Sequence, residues 1–299
     1  MSETYYFFDD QPVYQADWKK TFGAVINDGV ICGINNDLFV YADASGMQVK
    51  VKSGAAHIKG NFYFSDAEVV LPISAAPTTS GETRYDLVVV EVNWTTKSMT
   101  TKVVAGISSA TPTLPSLTRT STIFQIPLAR VTASYGDTNV AAAKVLDHRS
   151  WALGVYTIPF IIGNNATVIS TGVMPVGVSV PVPGKIIKYD IFADASGSIT
   201  FDIWKDQGGA YYPPTVADTI CASGNKPALS SARTITRRVW NEATYINQFA
   251  MNWPGFEITK PSVEDPFYGS VLLVNVDSVA TIKQVNLTLW IAKSISPLT

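Results

Sequence analysis

After residue 26 the hydrophobic pattern of this chain repeats every second residue, the period of a strand with one wet face. Between Gly46 and Gly54, Met47, Val49 and Val51 alternate with Gln48, Lys50 and Lys52. In 198–205 the apolar set is Ile199, Phe201 and Ile203, with Ser198, Thr200, Asp202 and Trp204 opposite. In 282–291 Val285, Leu287, Leu289 and Ile291 alternate with Gln284, Asn286, Thr288 and Trp290. Two antiparallel sheets packed face to face produce this pattern, so the second half is expected to be a jelly-roll-like β-sandwich. In the first half, Tyr85–Trp94 reads as a central strand, paired as a hairpin with 100–105. The stretch 122–133 reads as a strand bent near Pro127, because proline cannot donate to a ladder.

Only before residue 26 is the period helical. Tyr14, Trp18 and Phe22 fall at i, i+4 and i+8, which places three aromatics on one face of a helix over 13–22, packed on a sheet. The stretch 106–120, with two prolines and many hydroxyls, is expected to be an extended excursion. Turns are expected at 163–165, 183–184, 195–197 and 207–209, and long loops over 209–262. A boundary near 150–156 gives two domains, 1–150 and 151–299. The expected class is all-β, a β-rich domain with one short helix followed by the sandwich.

Charged residues make up 15% of the chain, against about 25% in an average domain. The longest apolar runs, such as Val88–Val90 and Val271–Val274, are far short of the ~18 residues that span a bilayer, so no membrane insertion is expected. Twenty-two basic against 24 acidic side chains leave a net charge of −2, which argues against nucleic acid as a partner. The first residues lack the basic and apolar regions of a signal peptide, so synthesis in the cytoplasm is expected and the sequons at Asn93, Asn165 and Asn286 are read as chance matches. Cys32 and Cys221 are expected to remain thiols.

Signatures of catalysis are missing: there is no G-x-S-x-G elbow, phosphate loop, H-E-x-x-H or dinucleotide turn. His57 reads as a structural or partly exposed histidine, and His148 could pair with Asp147. Asp66 and Glu68, two apart on an expected strand, would share a face as glycosidase carboxylates do, but read as solvated acids. Arg233, Arg237 and Arg238 read as a solvated loop face. The chain is therefore expected to be no enzyme and to hold no cofactor or metal. The concentrated feature is aromatic: Trp204, Tyr211, Tyr212, Trp240, Tyr245, Trp253 and Phe256. Aromatics there can plug the ends of a sandwich, form a subunit interface or stack on sugar rings. For a receptor or glycan the contact residues are expected to be Trp204, Tyr211, Tyr212, Trp240 and Trp253. Trp204 leads because alternation puts it on the polar face.

The first half resembles the N-terminal domain of tailed-bacteriophage tail-fibre, baseplate and minor structural proteins. The resemblance lies in the order of its motifs over 14–149. They are the aromatic helix ending in Asn27-Asp28-Gly29-Val30-Ile31, then Leu38-Phe39-Val40, Gly46–Gly54 and His57-Ile58-Lys59-Gly60. Arg84–Val92, Pro127–Val131 and Asp147-His148-Arg149 follow. The second half is similar to a C-terminal domain of phage tail and adhesin proteins, through Asp194–Ile199, Asp202–Asp206, Pro213–Ile220, Lys226–Ala232 and Val276–Thr281. The resemblance implies a non-enzymatic virion component, made in the host cytoplasm and located in the phage tail. It implies other virion proteins as partners, a homo-oligomer, favouring a trimer, and a host cell-surface glycan as receptor. The alternative is a purely architectural baseplate, neck or head-surface protein. No catalytic residue comes with the resemblance.

Overall fold

The structure, a computed structural model, describes residues 14–180, 184–206, 213–221, 226–238 and 270–293. The fold is all-β, with one α-helix among the described residues. The chain divides into two compact units between Gly154 and Val155.

Unit 1 opens with helix α1 (Gln15–Val25), then β1 (Gly29–Val30), β2 (Val40–Tyr41), β3 (Gln48–Val51), β4 (Gly54–Ile58), β5 (Asn61–Ser65) and β6 (Val69–Pro72). β7 (Thr83–Asn93), β8 (Ser98–Val104), β9 (Ile123–Ser134) and β10 (Val145–Asp147) complete it. Three sheets form, in the orders β1-β4-β5, β2-β3-β6 and β10-β9-β7-β8. β7 lies between β8 and β9 and is buried on both faces from Leu87 to Val92, which is why its sequence runs apolar without alternating. The expected bend at Pro127 is a register slip between the Val88–Ala129 and Val89–Pro127 pairs. The stretch 106–120 holds no strand, only isolated bridges at Ser109 and Arg119.

Two buried arginines tie unit 1 together. Arg84 donates to both Asp86 oxygens and to the carbonyls of Ser74 and Ala75. Arg149 forms a two-pronged pair with Asp147, at 3.0 and 2.8 Å, and reaches the Asp37 carbonyl at 2.8 Å. Its guanidinium lies against the rings of Phe39 and Trp151. The Asp147 carboxylate, beside His148 in sequence, thus accepts from Arg149 in a planar, charge-assisted pair.

The aromatic stripe of α1 is not its packing face. Tyr14, Trp18 and Phe22 are 65%, 45% and 40% exposed, and no helix residue is buried. The helix instead rests its backbone on the β4–β5 turn. A Cβ on Gly60 would lie 2.4 Å from the Lys19 carbonyl oxygen, and one on Gly23 would lie 3.7 Å from the Gly60 nitrogen. This contact of small residues leaves the three rings outside.

Unit 2 holds β11 (Val155–Gly163), β12 (Gly172–Val173), β13 (Val178–Val180), β14 (Gly184–Asp206), β15 (Ala228–Arg238), β16 (Ser270–Ala280) and β17 (Gln284–Lys293). They form one seven-stranded sheet around β14. From Gly184 to Ala193 β14 pairs with β17, and from Ser198 to Asp206 with β16, while β15 runs along its other edge. The turn expected at 195–197 is thus a corner inside one long strand. The Asp194 carboxylate pins that corner by accepting the N–H groups of Lys283 and Gln284, each at 3.0 Å. Gly197 is required there, since a Cβ would lie 2.5 Å from the Ala280 oxygen. The sheet curls so that Tyr189, Ile191, Ile199, Phe201, Ile203, Leu272, Val274, Val285, Leu287 and Leu289 share one core. β15 also corrects the loop expected over 209–262: its strand pairing is long-range, which a weakly alternating Ser- and Arg-rich stretch conceals.

Candidate functional site

The structure places Trp204 on the outer face of β14, as the alternation requires, but buries it to 8% exposure. Its backbone bridges to Thr219, and the segment 213–221 returns alongside. Next to it, the Asp202 carboxylate accepts from the Thr219 hydroxyl and from Lys226 Nζ at 2.9 Å. Lys226 also reaches Asp277 at 2.6 Å, and Asn275 braces Asp277. Burial pushes the Asp202 carboxyl upward, but hydrogen bonds from Lys226 and Thr219 outweigh it and hold the group below the usual carboxylate range. This face is an internal lock, so Trp204 is not presented as a receptor platform; a polar strand face covered by a returning segment looks solvent-facing in sequence. Tyr211, Tyr212, Trp240 and Trp253, like Tyr245 and Phe256, lie outside the described residues. Arg233 sits on β15, where its Nε donates to the Ala193 carbonyl, and Arg237 and Arg238 belong to the same strand rather than to a loop.

The other candidates are also structural. His57 is 3% exposed, and its Nδ1 lies 3.2 Å from the Asn27 carbonyl, so it is buried rather than partly exposed. Asp66 and Glu68 lie in the β5–β6 connection instead of on a strand, and Glu68 accepts from the Tyr41 hydroxyl. Cys32 and Cys221 are buried thiols, one in each unit.

The surface feature that stands out is in unit 1. A cleft of about 620 Å³, a size typical of ligand sites, opens between three elements. Helix α1 contributes Gln15, Trp18 and Lys19, neighbours at i, i+3 and i+4. The β4–β5 hairpin contributes Gly60 and the run Asn61–Phe64. The end of β7 and start of β8 contribute Val92, Asn93, Trp94, Lys97, Ser98 and Met99. The turn between them is held by Asn93 Oδ1, which accepts the N–H groups of Thr95 and Thr96 at 2.9 and 3.1 Å. Phe62 and Phe64 are 60% and 53% exposed. Lys19 and Lys97 line the cleft, and among the described residues no aspartate or glutamate does.

Sequence reasoning located α1 but not this cleft. Its signal was the Lys59-Gly60 turn followed by Phe62 and Phe64 at spacing two, which specifies a hairpin but not which face is left open. Among the described residues no three His, Cys, Asp or Glu side chains group to hold a metal ion, and no helix is long and apolar enough to cross a membrane.

No family model and no curated protein matches the chain. Among solved structures, a chain of the infectious bursal disease virus Gx strain is 12% identical, with 88% of this chain and 75% of that one covered and a TM-score of 0.16. A chain of the Gt strain of the same virus is 10% identical, covering 91% and 82%, with a TM-score of 0.12. Scores this low do not establish a shared fold.

Proposed function

We propose that the chain is a non-enzymatic structural protein of a tailed-phage virion, a tail-fibre or baseplate component acting in host attachment. The observation that carries this reading is the division of labour in unit 1. Charged residues of the motifs whose order resembles that of phage tail proteins, Arg84, Asp86, Asp147 and Arg149, form internal pairs. Among the side chains left outside are four aromatics, Trp18, Phe22, Phe62 and Phe64. Exposed apolar groups gathered in one region mark interaction surfaces. Unit 1 would dock to other virion proteins, and unit 2 would form the distal, receptor-facing part. Copies assembled about an axis, as trimers, would turn weak sugar contacts into firm attachment.

A purely architectural role is the second reading, and the burial of Trp204 favours it. Antibodies raised against unit 2 separate the two. Under the first reading they block adsorption of phage particles to host cells. Under the second they bind the particle and leave adsorption unchanged. Particles that lack the chain altogether would refute both.

A further inference from the structure

The cleft of unit 1 runs along the edge of a strand, and among the described residues that edge is open. Five consecutive residues, Gly60 to Phe64, line it, whereas a cleft over one face of a strand would be lined by alternate residues. Among the described residues β5 is the terminal strand of its sheet, paired only with β4.

The hairpin register states which backbone groups face outward. Lys59 and Gly60 have φ of 49° and 77°, the two positive values of a type I′ turn. In such a hairpin the flanking pair, Ile58 and Asn61, exchanges both hydrogen bonds, and the bonded pairs then alternate. His57–Phe62 and Ala55–Phe64 are therefore non-bonded pairs. The far side of β4 agrees: the Ala55 carbonyl accepts the Ile31 N–H at 2.9 Å and so points away from Phe64. The N–H and C=O groups of Phe62 and Phe64 consequently point out of the sheet edge. Among the described residues no hydrogen bond takes these four groups.

An open edge beside exposed aromatics is the surface an extended polypeptide completes by adding a strand. The charge selects the kind of strand, since Lys19 and Lys97 border the cleft and, among the described residues, no carboxylate lines it. We propose that this cleft binds an extended, acidic polypeptide segment of a partner protein, which pairs with β5 through the main-chain groups of Phe62 and Phe64. A sugar could stack on the rings, but it would leave the alternating backbone donors and acceptors without matching partners. The proposal concerns this chain's own cleft and stands whether or not the chain is a virion protein.

The test uses the full chain and a fluorescein-labelled eight-residue peptide of alternating glutamate and valine, read by fluorescence anisotropy. Saturable binding is expected. The counterpart with lysine in place of glutamate should not bind. Two further forms, N-methylated at the valines or at the glutamates, each lose the donors of one edge. One should bind like the parent and the other should not. The double variant K19Q/K97N should bind about tenfold more weakly, the sum of two half-exposed ion pairs. Asparagine suits position 97, where φ is +55°. Failure of the acidic peptide to bind, equal binding of both methylated forms, or displacement of the peptide by maltoheptaose would overturn the proposal. The methylated peptides read strand pairing on the unaltered chain, so the test does not depend on the folding of any variant.

Discussion

Replacing Arg149 by alanine should strongly destabilise unit 1. The guanidinium, 1% exposed, donates two hydrogen bonds to Asp147 and one to the Asp37 carbonyl. Alanine leaves the 11%-exposed Asp147 carboxylate without that cation and removes the stack against Phe39 and Trp151. Breaking a buried pair in this way costs about 3–5 kcal/mol. At about 2–4 °C per kcal/mol for a unit of this size, the melting temperature of unit 1 should fall by roughly 6–20 °C. Arg149→Lys keeps the charge but cannot bridge both Asp147 oxygens and a carbonyl, so it should recover only part of the loss. The pair Asp147→Leu with Arg149→Met removes both charges and should be closer to the parent than Arg149→Ala is. Calorimetry and urea denaturation followed by circular dichroism read all four proteins. An Arg149→Ala protein within about 1 kcal/mol of the parent would refute the clamp, since such a loss is ordinary for any substitution.

Acid should weaken the fold through Glu91, Asp137 and Asp202. Burial pushes each group upward, but hydrogen-bonded lysines, Lys102, Lys144 and Lys226, hold all three below the usual carboxylate range. Because the folded value lies below the unfolded one, this stability is complete above about pH 4 and is lost as the pH falls further, and Asp202→Asn should flatten that acid limb. Burial pushes the Cys221 thiol up to about 12, so iodoacetamide at pH 8 should label it only after denaturation; mass spectrometry showing rapid native labelling would contradict its burial. Gly60→Ala should destabilise unit 1 by about 1–3 kcal/mol, because it places a Cβ against the Lys19 carbonyl and at φ +77°; an unchanged melting temperature would show that α1 does not rest on this turn. Trp204→Ala should cost about 3–5 kcal/mol in unit 2 as a cavity mutation, and an unchanged denaturation midpoint would return Trp204 to the surface.

Strands with one buried and one wet face announced themselves, as in Ile199, Phe201 and Ile203 or Val285 to Ile291, because burial alternates with the pleat. What the pattern could not carry was which strand continues through a glycine. Ala195-Ser196-Gly197 reads as a turn, yet the chain runs on through it, since the Asp194 side chain and the β16–β17 turn supply the bonds that a turn would otherwise supply itself. The helix was legible from Tyr14, Trp18 and Phe22, but its packing was not: the contact is backbone to backbone at Gly60, and periodicity reports only side chains. The burial of Trp204 was hidden for a related reason. Alternation gives the face of a residue, whereas its cover comes from a segment some fifteen residues away, at Thr219. The cleft was invisible because its decisive feature, the open edge of β5, is a property of topology.

A cryo-EM map of the intact particle proposed to contain this chain tests most directly the proposal that it is a tailed-phage virion component. The account predicts two all-β units per copy in the tail, with copies arranged about the tail axis. Unit 1 should face a neighbouring virion protein, and an extended strand of that neighbour should lie along β5 between Trp18 and Trp94. A particle in which the chain is absent, or in which unit 1 faces solvent with the β5 edge bare, would contradict it.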